Sequence, residues 1–241
     1  MSGPSSPSSP THAAQALAAL SSVPTLSADS ICTIDIVELL INDFFTYIHP
    51  LCPFPHEQSF REAFRKREDY TNRPFLALLA SMIGALVASF PRKPRQHLKA
   101  RGKEHMFPNA ISFVSRCQQV CTVARGTAYL EREDLNVYDA ATSYFLGLIG
   151  AYTYRRRQMR LYFSESLTII KSLRLHISAE EQSYAQFASM SSPSGANGLS
   201  HEGMRTPSPD YITQELSRRI FWTIFVGIRY VGGECSLIYW I

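Results

Sequence analysis

The stretch FLALLASMIGALVASF, residues 75–90, contains no charged side chain, and in a helix its apolar residues would cover almost the whole circumference. A helix that is apolar on every side must be surrounded by other elements or by lipid. Its sixteen residues, bounded by Pro74 and Pro91, are fewer than the about 20 that cross a bilayer. We therefore predict a buried core helix, capped by Asn72 with Pro74 in its first turn, which neighbouring elements cover on several sides.

Two further segments with apolar residues at helical spacing follow each other directly. DLNVYDAATSYFLGLIGAYTY (134–154) and RQMRLYFSESLTIIKSLRLH (157–176) predict two antiparallel helices joined by a tight basic turn. Small residues on the first helix would let the second approach it closely; these are Ala140, Ala141, Gly147 and Gly150.

The remaining helical patterns complete the fold prediction. Helices are expected from Ile34 to the prolines at 50–55, over 58–68, from Pro108 to Gly126 and over 213–230. The segment PRKPRQHLKARGK (91–103) is interpreted as a basic linker. No segment shows the alternation of a strand, so we predict an all-α fold, an irregular multi-helix bundle with solenoid-like helix hairpins.

Composition divides the chain into one helical domain and three segments of different character. Residues 1–30 are rich in Ser, Pro and Ala and are expected to form a disordered lead-in to a helical domain over 31–230. Residues 188–209 have the low complexity of a surface insertion within that domain. Residues 231–241 end on apolar side chains and are expected to reflect a truncated or atypical C-terminus.

The net charge of +4 is too small to mark the whole chain as a nucleic-acid binder. Positive charge is nevertheless concentrated in 91–103 and in YRRRQMR (154–160). We interpret both clusters as solvated helix ends and loops, with phosphate binding or a nuclear import signal as the alternatives.

Zinc-type ligands occur together in YIHPLCPFPHEQSF (47–60), where His49, Cys52 and His56 are three and four residues apart. A structural zinc site needs four ligands, usually in paired spacing, and no second pair is present. The intervening prolines also restrict how the three side chains could converge. We therefore predict no metal site, and expect Leu51, Phe54 and Phe60 to anchor an extended loop on the core.

The five cysteines, at 32, 52, 117, 121 and 235, do not indicate a disulfide framework. The N-terminus lacks the basic start and apolar run of a signal peptide, so free thiols in a reducing compartment are expected. Cys117 and Cys121 share one helix face with Ile111, Val114 and Ala124 and are predicted to be buried thiols. Because the sequences G-x-S-x-G, H-E-x-x-H, G-x-G-x-x-G and the P-loop are all absent, no catalytic, cofactor-binding or metal residues are assigned, and an enzyme is not expected.

The order of four segments resembles a known family. FFTYIHPLCPFPHEQSFREAF, RPFLALLASMIGALVASFPR, VYDAATSYFLGLIGAYTYRRRQMRLYFSESLTIIKSLRLH and QELSRRIFWTIFVGIR together are similar to the regulatory middle region of fungal zinc-cluster transcription factors. The resemblance is to the xylan and quinate pathway activator type in particular, and it covers roughly residues 34–230.

The resemblance implies an all-helical nuclear domain that regulates transcription by RNA polymerase II. In the family, DNA is bound by a separate N-terminal module with six cysteines and two zinc ions, which begins C-x2-C-x6-C. No such cysteine run occurs between Met1 and Ile34, so the family's zinc cofactor and its DNA contacts are not expected from this chain.

The expected partners are therefore proteins of the transcription machinery or a second copy of the chain, with no membrane. A helical protein–protein interaction scaffold and a small-molecule (inducer) sensing domain are the alternative functions. The nucleus is the location that the resemblance implies, and the cytoplasm is the alternative without it.

Overall fold

The computed structural model describes residues 26–174 and 210–231, with side chains up to Gly227. These ranges hold eight α-helices and no strand, which confirms the all-α prediction. The insertion predicted over 188–209, and nearly all of the lead-in and of the C-terminal segment, lie outside the described residues. The helices are α1 (Ile34–Tyr47), α2 (Glu57–Arg65), α3 (Arg73–Ser89), α4 (Arg92–Ala100), α5 (Ala110–Arg125), α6 (Val137–Tyr152), α7 (Arg156–Leu173) and α8 (Tyr211–Val231).

Helix α3 is the central element, as the opening stretch predicts. Every residue from Phe75 to Val87 is buried, because α1, α5 and α6 all pack against this helix. Its start is capped as expected, with the side chain of Asn72 accepting a hydrogen bond from the amide of Phe75 at 3.0 Å. Within the described ranges no single helix is long and apolar enough to cross a membrane, although α3 and α4 meet that test as a pair bent by 103°.

Helices α6 and α7 form the predicted antiparallel hairpin, and the small residues of α6 bring them close together. A Cβ atom placed on Gly147 would lie 2.6 Å from the ring of Phe163. At Gly150 it would lie 2.8 Å from the backbone nitrogen of Met159. The hydroxyl of Ser166 also donates directly to the carbonyl of Ala140 across the interface, at 2.6 Å.

Helix α4 corrects the prediction of a linker over 91–103. Only Pro94 and Leu98 of this helix are buried, so its sequence lacks a clear apolar face. Polar contacts attach it to α1 instead. Lys93 Nζ donates to the hydroxyl of Tyr47 at 2.7 Å, and His97 Nε2 lies 2.7 Å from a carboxylate oxygen of Asp43.

The ends of the described ranges also join the core. Ala28, predicted to belong to the lead-in, is fully buried, and its amide donates to the buried carboxylate of Asp69 at 2.9 Å. The packed structure therefore begins a few residues before position 31. Helix α8 buries Leu216, Ile220 and Ile224 and packs against α6 and α7, in agreement with the helix predicted over 213–230.

Helix α5 agrees with the prediction at its ends and on most of one face. Asn109 caps it through a hydrogen bond from the amide of Ser112 at 2.8 Å, and Gly126 ends it with a φ of 77°. Ile111 is half exposed, although the spacing placed it on the buried face. It lies in the first turn of the helix.

Candidate functional site

The three zinc-type ligands of the 47–60 corner have separate partners. His49 Nε2 donates to the carbonyl of Pro55 at 3.0 Å, and burial lowers the pKa of this histidine. Cys52 Sγ lies 3.2 Å from the hydroxyl of Tyr144 on α6. His56 precedes α2 and caps it, because its Nδ1 accepts from the amide of Ser59. In the part of the chain that the structure describes, no three His, Cys, Asp or Glu side chains are placed to share a metal ion.

The corner is organised by aromatic packing. Phe54 is fully buried, with its ring centroid 5.1 Å from that of Tyr144 and 5.3 Å from that of Phe145. The rings continue from Phe145 to Phe44 of α1 at 5.4 Å and from Tyr144 to Phe163 of α7 at 5.4 Å. The corner thereby connects α1, α6 and α7, and such ring pairs are worth about 0.5–1.5 kcal/mol beyond the area that they bury.

The predicted anchors of this corner are confirmed in two of three cases. Phe54 and Phe60 are completely buried, but Leu51 is 74% exposed. The prediction for Leu51 is wrong because the turn at 48–52 directs this side chain away from the core, whereas Cys52 beside it is buried.

The described cysteines are buried thiols, as predicted for Cys117 and Cys121. Neither of these two has measurable exposure. Burial raises the pKa of Cys121 to about 12 and that of Cys117 even further. Since the thiolate is the reactive form, these cysteines are poor nucleophiles and poor metal ligands in the folded protein.

A buried ionic cluster joins α5, α6 and α7, and the sequence did not predict it. The guanidinium of Arg125 donates to Glu165 at 3.0 Å, to the hydroxyl of Ser143 at 2.6 Å and to the carbonyl of Asp139 at 3.0 Å. The hydroxyl of Ser143 donates to the same Glu165 carboxylate. The Arg125 side chain is only 4% exposed. One signal was available: Arg125 follows Cys121 by four residues and so continues a predicted buried face.

A second buried carboxylate lies beside this cluster, at the start of α6. Asp139 accepts from the amide of Asn136 at 3.1 Å, which completes a capping box, and from Arg132 at 2.8 Å. Burial raises the pKa of Asp139, while the Asn136 amide and the Arg132 guanidinium act in the opposite direction. Each carboxylate of the cluster has a cationic partner and a structural role.

The turn between α6 and α7 presents the most concentrated charge on the described surface. Arg155, Arg156, Arg157 and Arg160 are exposed, and none of them pairs with a carboxylate among the described residues. Tyr154 precedes them with a φ of 59° and is 90% exposed. Helix α7 begins without a side-chain cap, and positive charge at a helix N-terminus opposes the helix dipole. The arginines therefore do not stabilise the helix on which they lie.

Comparison with known proteins identifies the family and gives no closer relative. A model of the fungal specific transcription factor domain matches residues 41–227. Neither the curated proteins nor the solved structures contain a match. The matched range begins within α1 and ends at the last described side chain of α8. It includes the 47–60 corner, the α6–α7 hairpin and the arginine-rich turn at 154–160, here called the arginine turn. The chain thus belongs to the fungal specific transcription factor domain family.

Proposed function

We propose that this chain is the regulatory domain of a nuclear transcription factor for RNA polymerase II and that it acts through contact with other proteins. The observation that supports contact, as opposed to catalysis, is the arginine turn at 154–160. Its four guanidinium groups are exposed and form no ion pairs with the described carboxylates, beside an exposed tyrosine. Arginine and tyrosine are, with tryptophan, the residue types most enriched among the side chains that dominate binding at protein interfaces.

Catalysis lacks comparable support in the described residues. The buried carboxylates and thiols are either paired or inaccessible, and the family is one of transcription factor domains. The 241 residues contain no C-x2-C-x6-C run, and no three His, Cys, Asp or Glu side chains among the described residues are placed to share a metal ion. We therefore expect the chain to show no sequence-selective DNA binding of its own. A selective gel shift with residues 1–241 would contradict this expectation.

The regulatory function can be tested by tethering the full chain to a heterologous DNA-binding domain in a fungal reporter strain. We expect reporter transcription to rise or fall relative to the DNA-binding domain alone. The interacting surface is tested with the triple variant R155Q/R156Q/R157Q, which should abolish that change while the protein level and circular dichroism are retained.

A matched control removes the same charge elsewhere. The triple variant R65Q/K99Q/R116Q changes three exposed basic residues on α2, α4 and α5 and should behave as the wild type. A tethered chain without any effect on transcription would contradict the regulatory function. Equal loss in both triple variants would show that net charge matters and the arginine turn does not.

A further inference from the structure

The described part of the chain contains a cavity of about 430 Å³. It lies between α4 and the segment that leads into α5, and it is lined by Arg92, Arg95, Leu98, Glu104, Phe107 and Phe113 among others. We propose that this cavity binds a small organic monocarboxylate with a planar apolar body. The proposal goes beyond the regulatory function and does not depend on it, because binding can be measured directly.

The volume and the floor of the cavity suit a small apolar group. Ligand sites typically enclose about 300–1,000 Å³. The rings of Phe107 and Phe113 stack with centroids 4.0 Å apart and an angle of 3° between their planes. Phe113 is 1% exposed and Leu98 is 4% exposed, so the core of the protein holds the floor in place. Phe107 is only partly buried, so its ring is the part of the floor that a flat apolar ligand would cover.

The charges on the wall select a carboxylate. The basic residues on the α1 side of this region are occupied: Lys93 and His97 contact α1, and Arg101 and Lys103 both bind Asp35. Arg92 and Arg95, by contrast, line the cavity and pair with no carboxylate in the described part of the chain.

The balance of charge indicates a single negative charge on the ligand. Three charged residues line the cavity, two of them basic (Arg92 and Arg95) and one acidic (Glu104). Planar guanidinium groups bind both carboxylates and phosphates through paired hydrogen bonds, but only a ligand with an apolar body can also cover the aromatic floor. Glu104 can accept a hydrogen bond from a hydroxyl or amino substituent of the ligand.

A bound carboxylate would connect two parts of the fold. Helix α4 contributes few apolar residues to the core and is attached to α1 by polar contacts. A ligand that contacts Arg92 and Arg95 on one side and Phe107 on the other would fix α4 against the segment before α5. The cavity is therefore placed where occupancy changes how firmly a peripheral helix is held.

The test uses 4-fluorobenzoate and fluorine NMR on the full chain. We expect saturable binding with a Kd of about 1 mM, typical of a ligand with few atoms. The uncharged analogue 4-fluorobenzyl alcohol should bind about tenfold more weakly, because it lacks the charge-assisted hydrogen bonds. Inorganic phosphate at equal concentration should not displace 4-fluorobenzoate.

Variants locate the site. R92Q/R95Q should raise the Kd for 4-fluorobenzoate about tenfold with an unchanged circular dichroism spectrum. The matched control K99Q/R116Q removes two exposed charges that do not line the cavity and should leave the Kd unchanged. The proposal is wrong if 4-fluorobenzoate does not bind saturably, if the alcohol binds equally well, if phosphate displaces it, or if R92Q/R95Q binds as the wild type does.

Discussion

Replacing Gly150 by Ala tests whether the α6–α7 hairpin depends on direct contact between the two backbones. The added Cβ would lie 2.8 Å from the backbone nitrogen of Met159 and 3.1 Å from its Cα. Because these are backbone atoms of α7, no side-chain rotation can relieve the overlap, and the helices must separate. Overpacking of this kind costs up to about 3 kcal/mol, and the better helix propensity of Ala returns about 1 kcal/mol. We expect G150A to lower the free energy of unfolding by about 2 kcal/mol.

The same substitution at Gly227 is the matched control. Gly227 lies in α8, and a Cβ placed there would meet no atom within 4 Å. Only the propensity gain remains, so G227A should raise the free energy of unfolding by about 0.5–1 kcal/mol. The two variants therefore have effects of opposite sign from an identical chemical change.

Urea unfolding followed by far-UV circular dichroism measures both variants. If G150A unfolds at the same or a higher urea concentration than the wild type, the close approach of α6 and α7 does not constrain the fold. If G227A is destabilised as much as G150A, the effect belongs to glycine replacement in general and the contact with Met159 is irrelevant.

Three further changes test other parts of the structure. F54A should cost about 3–5 kcal/mol because it empties a fully buried site, whereas L51S on the same loop should change stability by less than about 0.5 kcal/mol; urea midpoints compare them. R125M should cost about 3 kcal/mol, since it leaves the Glu165 carboxylate without its cation, and the double variant R125M/E165Q should recover part of the loss. Hydrogen bonds from Thr33 and Lys103 hold the pKa of Asp35 well below its ordinary 3.8. The ionised carboxylate therefore stabilises the fold above about pH 3.8, and this stabilisation is lost as the pH falls further. D35N should be less stable than the wild type near neutral pH, and the unfolding free energies of the two proteins, plotted against pH, should converge in acid.

The sequence predicts those helices whose stability comes from a continuous apolar face. The stretch at 75–90 and the 134–176 hairpin carry that information in their own residues, and their helices lie where the periodicity places them. Even the role of Gly147 and Gly150 could be anticipated, because small residues on an otherwise large apolar face indicate close packing.

Helix α4 could not be predicted from its own sequence, for a physical reason. Its sequence has only two buried residues, and its contacts are made with Tyr47 and Asp43, which lie 46 and 54 residues earlier in the chain. The spacing of apolar residues within α4 cannot indicate partners so distant in the sequence. The cavity beside α4 could not be predicted either, because it exists only when this helix is placed against Phe107 and Phe113.

The buried cluster at Arg125 shows the same limit. Its partners come from positions 14 to 40 residues later, on two other helices. The sequence could indicate that a charged residue continues a buried face, but not which groups neutralise it. Leu51 is the opposite case. Its apolar side chain predicted burial, but the turn at 48–52 directs it towards solvent.

The aromatic contacts of the 47–60 corner also bear on the order in which the chain folds. Cys52 and Tyr144, which meet there, are 92 residues apart, whereas α6 and α7 are joined by a short turn. Closing the larger loop costs more chain entropy before any contact compensates for it, so we expect the hairpin to form first and the corner to dock after the rate-limiting step. Removing the Phe54 ring would then accelerate unfolding and leave the refolding rate nearly unchanged, which stopped-flow measurements can establish. On this account the corner determines how long the native state persists more than how quickly it is reached.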